Sequence, residues 1–210
     1  MQVSAIVLTG GKSSRLGRIK ATEKIGAQTL LELVIESLFP ITRSILVVFS
    51  ESTFDLVDVG RFDVKVVVDL YREGGVLGGL YTGLVNAGTR YSLAVGCDMP
   101  FLNAALLRYL VDLAPGFDIV VPRCGRMYEP LHAVYSRRCL PFIAELIEQN
   151  KLKVSNLFDL VNTRYVEDKE IAKYDPRHLS FFNINTLHDL ELARKLTEGR
   201  SVVAEEQVGR

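Results

Sequence analysis

An α/β domain, with a mainly parallel sheet and helices on both faces, is the fold class this sequence predicts. Short apolar, β-branched runs recur along the chain, and segments of helical period separate them. No Pro/Gly/Ser linker or internal repeat divides the 210 residues, a length that suits one domain with its own core. We place that domain at residues 1–198 and read the polar stretch 199–210 as a loose C-terminal tail.

Six segments read as buried strands: SAIVLT (4–9), SILVVF (44–49), VKVVVD (64–69), SLAVGC (92–97), DIVVP (118–122) and LHAVY (131–135). Leu30, Leu31, Val34, Ile35 and Leu38 share a helix face until Pro40 stops the segment. The small-residue stretch 77–88 reads as a helix with Gly88 as its C-cap. Helices are also predicted over 101–116, with Asn103 as N-cap, over 138–150 and over 187–199.

Lysine plus arginine and aspartate plus glutamate both number 25, so no overall field favours nucleic acid or an anionic membrane. Apolar runs of about five to seven residues fall far short of the roughly 20 that cross a bilayer. The chain enters a strand at once, which leaves no leader segment. Three widely spaced cysteines, Cys97, Cys124 and Cys139, form no C-x-x-C pair and read as buried small hydrophobes. These features fit a reducing cytoplasm.

Ligands of open α/β sheets sit beyond the C-terminal ends of the strands, so those loops come next. The first strand ends in Thr9-Gly10-Gly11, followed by Lys12, Arg15, Arg18, Lys20 and Lys24. Glycines let backbone N–H groups approach an anion, and cations beside them suit a polyphosphate. A solvated basic loop is the plainer alternative. Neither G-x-x-x-x-G-K-[ST] nor G-x-G-x-x-G is present, so Walker A and dinucleotide-binding loops are unsupported. The third strand ends at Asp69, and glycine pairs 74–75 and 78–79 follow. Helix packing alone could account for Gly78, Gly79 and Gly83. Asp98 ends the fourth strand, where it could hold Mg²⁺ against a triphosphate or cap the next helix. His132, within an apolar strand, reads as structural, although His132 and His178 both suggest a nucleophile at first sight. Together, the glycine–basic loop, Asp69 and Asp98 point to a nucleoside triphosphate with magnesium.

At these residues the chain resembles the nucleotidyltransferases, and among them the molybdenum cofactor guanylyltransferase (MobA) family. The fingerprint L-A-G-G-x-S-x-R-M-G-x-D-K-A reads here LTGGKSSRLGRIKA (8–21). Similar patches follow in order: GVLGGL (75–80), GCDMPFL (96–102), EPLHAVYS (129–136) and FFNINTLHDL (181–190). The resemblance implies a Rossmann-like three-layer α/β/α nucleotidyltransferase fold and transfer of GMP from GTP to the phosphate of molybdopterin, with Mg²⁺ and release of pyrophosphate. It implies nucleotide contacts from Leu8, Thr9, Gly10, Gly11, Lys20, Asp69, Gly75, Leu77 and Asp98, with Arg15 and Lys20 on the phosphates and Asp98 on the metal. It places Asn183 and Asn185 beside molybdopterin, although a turn and the N-cap of the last helix would also explain them. Proteins that deliver molybdopterin or accept the finished cofactor are implied partners.

The chain departs from the family pattern at Thr9, Ile19, Val76, Glu129 and Leu187. Ile19, where the family has aspartate, makes Lys24 an alternative phosphate lysine; Lys20 keeps Gly26 and Leu30-Leu31-Glu32 in step. A cytidylyltransferase for molybdopterin, a phospholactate guanylyltransferase and a non-catalytic nucleotide- or molybdopterin-binding module are the competing readings.

Overall fold

The computed structural model describes residues 1–10, 19–51, 53 and 57–208, with side chains described to residue 199. In chain order the elements are β1 (Ser4–Leu8), β2 (Lys24–Ile25), β3 (Gln28–Thr29), α1 (Leu30–Leu38), β4 (Ile45–Phe49), β5 (Lys65–Val68) and α2 (Gly75–Asn86). There follow β6 (Tyr91–Gly96), α3 (Ala104–Leu113), β7 (Ile119–Cys124), β8 (Met127–Tyr128), β9 (His132–Ser136) and α4 (Leu140–Glu148). The chain closes with α5 (Ser155–Phe158), β10 (Thr163–Glu167), α6 (Asp168–Ile171) and α7 (Leu187–Val208).

The main sheet has the order β10-β7-β9-β6-β1-β4-β5, with β8 paired to β7 outside that path. Pairs β1–β4, β1–β6, β4–β5 and β7–β10 are parallel; β9 is antiparallel to both β6 and β7. Six strands therefore end on one edge, where β9 begins. The sheet is mixed but mainly parallel, with the helices in two outer layers.

Alternation along the strands divides the core between the two faces. Ala5, Val7, Val47, Phe49, Leu93 and Val95 face α1 and α3, whose Leu31, Val34, Ile35, Leu38, Leu106, Leu107 and Leu110 are buried against them. Ile6, Leu8, Val48 and Ala94 face Leu77, Leu80 and Leu84 of α2, with Ile143 and Leu146 of α4 in the same cluster. A smaller cluster of Ile25, Leu30, Phe101, Ile184, Leu190 and Ala193 seats the start of α7.

Local signals set the helix ends. Thr29 caps α1 in a reciprocal capping box with Glu32, and the Asn103 side chain accepts from the Ala105 and Leu106 amides at the start of α3. The sequence reading is corrected at several points. Strand β5 is an edge strand with an exposed Lys65 and Val68, not a buried one. Helix α2 begins at Gly75 and ends at Asn86, with Ala87 rather than Gly88 at its C-cap. Helix α7 runs to Val208, beyond the end at 199 that the sequence predicts.

Close packing explains part of the glycine pattern. A Cβ on Gly83 would lie 2.5 Å from Ile6 Cγ2, so α2 rests directly on β1 at that point. Gly83→Ala should lower stability by about 1–3 kcal/mol, measurable as a reduced urea midpoint at unchanged m-value. Among the described residues no helix is long and apolar enough to cross a membrane.

Candidate active site

The chain runs from β1 through β4 to β5 on one side of the sheet, and β6 returns to the other side of β1. A crevice therefore opens above β1 and β6, where the connections diverge. It holds a cavity of about 540 Å³, within the roughly 300–1,000 Å³ usual for small-ligand sites. Leu8, Thr9 and Gly10 line it from the end of β1, Val48, Phe49 and Ser50 from β4, and Asp69 and Arg72 from the loop after β5. Gly75, Val76 and Gly79 contribute from α2, Cys97 and Asp98 from beyond β6, and Lys20, Leu131 and Asn185 complete the lining.

The floor is rigid. Thr9 donates its amide (3.1 Å) and its hydroxyl (3.0 Å) to the Val48 carbonyl, while the Cys97 amide donates to the Leu8 carbonyl at 3.0 Å. The Cys97 thiol is fully buried and donates to the Thr9 carbonyl at 3.2 Å; burial raises its pKa well above the ordinary thiol range. Gly10 then turns the chain with φ +64°, a left-handed conformation that suits glycine.

Lys20 is the central cation of the described lining. Its Nζ donates to Asp98 Oδ2 at 2.7 Å and to Asn185 Oδ1 at 2.6 Å. The Lys20 and Asp98 side chains are only 14% and 20% exposed, so the pair is shielded from bulk water. Glycine at 96 leaves space for Asp98, because a Cβ there would lie 2.6 Å from Asp98 Oδ1. The Ile184 amide donates to the Asp98 carbonyl at 3.0 Å and so joins the turn before α7 to the end of β6.

On the other wall, Asp69 Oδ1 accepts from the Thr82 hydroxyl at 2.8 Å and the Tyr71 amide at 3.1 Å. Thr82 Oγ1 in turn accepts from the Leu70 amide. A Cβ on Gly79 would meet Leu8 Cδ2 at 3.2 Å and Asp69 Oδ2 at 3.7 Å, so the glycine face of α2 lets both residues lie against it. Gly75, with φ +56° and open space beyond its missing Cβ, starts that helix.

Leu8, Thr9, Gly10, Lys20, Asp69, Gly75, Asp98 and Asn185 thus share the cavity lining. Gly11 and Arg15 lie outside the described residues. Two further residues that the resemblance implies lie outside the lining. Leu77 is fully buried beneath α2 with Leu80 and Leu84, and its helix-mate Val76 faces the cavity instead. Asn183 donates to the Phe181 carbonyl within its own turn and is not in the lining. Asn185 reaches Lys20 because Asp189 accepts from the Asn185 and Thr186 amides, at 3.0 and 2.8 Å. Burial would raise the Asp189 pKa, yet these backbone bonds, with the Thr186 side chain, hold it below the usual carboxylate value. Lys24 is exposed on β2, away from the lining.

Arg72 was not singled out from the sequence, although it stands two residues before the first glycine pair. It lines the cavity and pairs with Glu51. His132 begins β9 beside the lining residue Leu131, fully buried, with its ring edge-on to Phe181 at 5.0 Å. Among the described residues neither ring nitrogen has a hydrogen-bond partner. Burial lowers its pKa to about 3, against a small upward pull from Asp175. It is thus a neutral core histidine.

That pKa has a consequence for acid stability. Below pH 6.5 the unfolded chain binds a proton at His132 that the folded chain refuses until about pH 3. The contribution is fully present above 6.5 and is lost as pH falls between the two values. About 2 kcal/mol of stability should disappear from this group between pH 7 and pH 5. Urea unfolding of wild type and His132→Leu at both pH values should show that share of the slope missing in the variant.

The chain is similar to known proteins in both sequence and fold. A family model described as a MobA-like NTP transferase domain matches residues 5–163. A probable molybdenum cofactor guanylyltransferase of Pelotomaculum thermopropionicum is 33% identical over 94% of this chain and 95% of its own length. One from Methanosarcina mazei is 35% identical over 90% and 88%. Among solved structures, molybdopterin-guanine dinucleotide biosynthesis protein A of Archaeoglobus fulgidus superposes with a TM-score of 0.82 at 26% identity, covering 94% of this chain and all of that one.

Proposed function

This chain belongs to the MobA-like NTP transferase family, and we propose that it transfers GMP from GTP to the phosphate of molybdopterin, releasing pyrophosphate. The observation that carries the reading is Lys20 Nζ held between the Asp98 carboxylate and the Asn185 amide inside the cavity. It joins the end of β6 to the turn before α7, so one cation ties together two separate segments of the cavity lining.

The donor set fits Mg²⁺. Asp69 and Asp98 offer hard carboxylate oxygens, and the ion characteristically takes one or two of these together with substrate phosphates. Asp98 would hold it, and when bound it neutralises charge on the triphosphate. The remaining work falls to the protein. An oxygen of the molybdopterin phosphate attacks the α-phosphorus of GTP, the bond to the bridging oxygen breaks, and pyrophosphate departs with the electron pair. The attacking phosphate is already anionic near pH 7, so the step needs no general base. Catalysis then rests on alignment and on relief of repulsion between anions.

Lys20 supplies a fixed positive charge to the triphosphate, and Arg15 would supply a second. Leu8, Thr9 and Gly10, with Gly11, Gly75 and Val76, would cradle the nucleoside through backbone edges. Asn185 would face the acceptor while keeping Lys20 in register, and proteins that hand over molybdopterin or accept the product would approach this face.

The test is pyrophosphate release with GTP, molybdopterin and Mg²⁺ present together, repeated with CTP and ATP. Product formed with GTP alone supports the reading. A preference for CTP would replace it with cytidylyl transfer on the same fold, and no turnover with any nucleotide would overturn it.

A further inference from the structure

Away from the Lys20–Asp98 pair, three potential metal ligands of different chemistry converge. Cys124 ends β7, Asp168 opens α6 directly after the neighbouring strand β10, and His178 lies in the loop that leads toward α7. Their ligand atoms all lie within 4.8 Å of one another. Cys124 Sγ and His178 Nδ1 are 3.8 Å apart. A tetrahedral zinc ion with bonds of about 2.3 Å to sulfur and about 2.0–2.1 Å to nitrogen spans about 3.6 Å between those two atoms.

We propose that Cys124, Asp168 and His178 form a binding site for a single Zn²⁺ ion, separate from the nucleotide cavity. Thiolate, imidazole and carboxylate are the ligand types zinc accepts, and soft sulfur disfavours Mg²⁺. Supporting contacts are in place. The Gly125 amide donates to Asp168 Oδ2 at 3.0 Å and orients that carboxylate toward the group. His178 adopts a left-handed φ of +53° at the start of the short 3-10 turn Leu179–Phe181, and its ring packs edge-on against Phe181.

Partial burial, together with Asp168, Glu129 and Asp175 nearby, pushes the Cys124 pKa up to about 12. Zinc binding near pH 7 would displace the thiol proton. The site would also brace the cavity wall. From His178 the chain continues to Ile184, whose amide holds the Asp98 carbonyl, and to Asn185, which holds Lys20. Zinc would thus tie the ends of β7 and β10 to the turn that completes the crevice.

The full chain, stripped with chelator and exchanged into buffer, is titrated with Zn²⁺ and separately with Co²⁺. One equivalent of zinc should bind, and cobalt should give near-ultraviolet thiolate-to-metal charge-transfer absorption with tetrahedral visible bands. Cys124→Ser should abolish the charge-transfer absorption. His178→Gln should weaken binding at least ~100-fold, since even outer partners of metal ligands are worth ~10–100-fold. Cys139→Ser, which alters a buried core cysteine, and Asp98→Asn should both keep the absorption. Lack of the charge-transfer band in the wild-type chain would overturn the proposal whether or not any variant folds. So would its persistence in a folded Cys124→Ser, or binding lost in Asp98→Asn and kept in Cys124→Ser. The readout needs neither GTP nor molybdopterin, so failure of the transferase reading would leave it standing.

Discussion

Asp98→Asn is expected to fold normally and to lose at least ~100-fold in turnover, a barrier increase of about 2.7 kcal/mol. The fold should survive because the change is nearly isosteric and the local backbone is held elsewhere. The Asp98 carbonyl accepts from the Ile184 amide, and Gly96 leaves the space into which the side chain bends. The chemistry should suffer in two ways. Asn cannot supply the anionic oxygen that would hold Mg²⁺ beside the triphosphate. It also removes the charged partner of Lys20, whose ammonium then lacks the anchor seen at 2.7 Å. Single-turnover rates at saturating GTP, read beside a thermal melt, separate lost catalysis from lost structure. Turnover near the wild-type level in a folded variant would remove Asp98 from the site.

The sheet was legible because its central strands are buried on both faces and read as unbroken apolar runs, as in AIVL of β1 and ILVVF of β4. Strand β10 was not, because TRYVE is only partly buried at a sheet edge, and its apolar content alone does not mark it. The reversal of β9 was also hidden, since a strand's composition does not encode its direction. Within the site, residues at strand ends were readable because chain position alone delivers them to the crevice. Leu77 lies off the lining for a helical reason: in a helix that starts at Gly75, Leu77, Leu80 and Leu84 share the face turned to the sheet. The bridge from Lys20 to Asn185 spans 165 residues and exists only through folding. Cys124 reads in the sequence as a buried small hydrophobe; in the fold it is only partly buried, and the folded loops bring Asp168 and His178 to it.

Lys20→Met should likewise cut turnover by at least ~100-fold and raise the KM for GTP, because the ammonium would meet the phosphates both before and during bond breaking. The local fold directs its side chain. Ala21 is fully buried, and the Lys20 carbonyl accepts from the Glu23 amide, so the short 3-10 turn aims the side chain inward. Lys20→Arg should recover little, since a planar guanidinium cannot reproduce contacts of 2.7 and 2.6 Å to two groups arranged around a point charge. Lys24→Met should stay within a few-fold of wild type, which decides between the two candidate lysines: Lys24 is exposed on β2, and its carbonyl, not its ammonium, accepts from Arg194. The double variant Lys20→Met/Asp98→Asn is the sharper measurement. Each single change leaves the other member of a shielded pair without its partner, so part of each loss is that shared penalty. The double variant should therefore lose less than the product of the two single losses. Strict multiplication would mean that the two side chains act independently, and that the 2.7 Å contact between them has no part in the reaction.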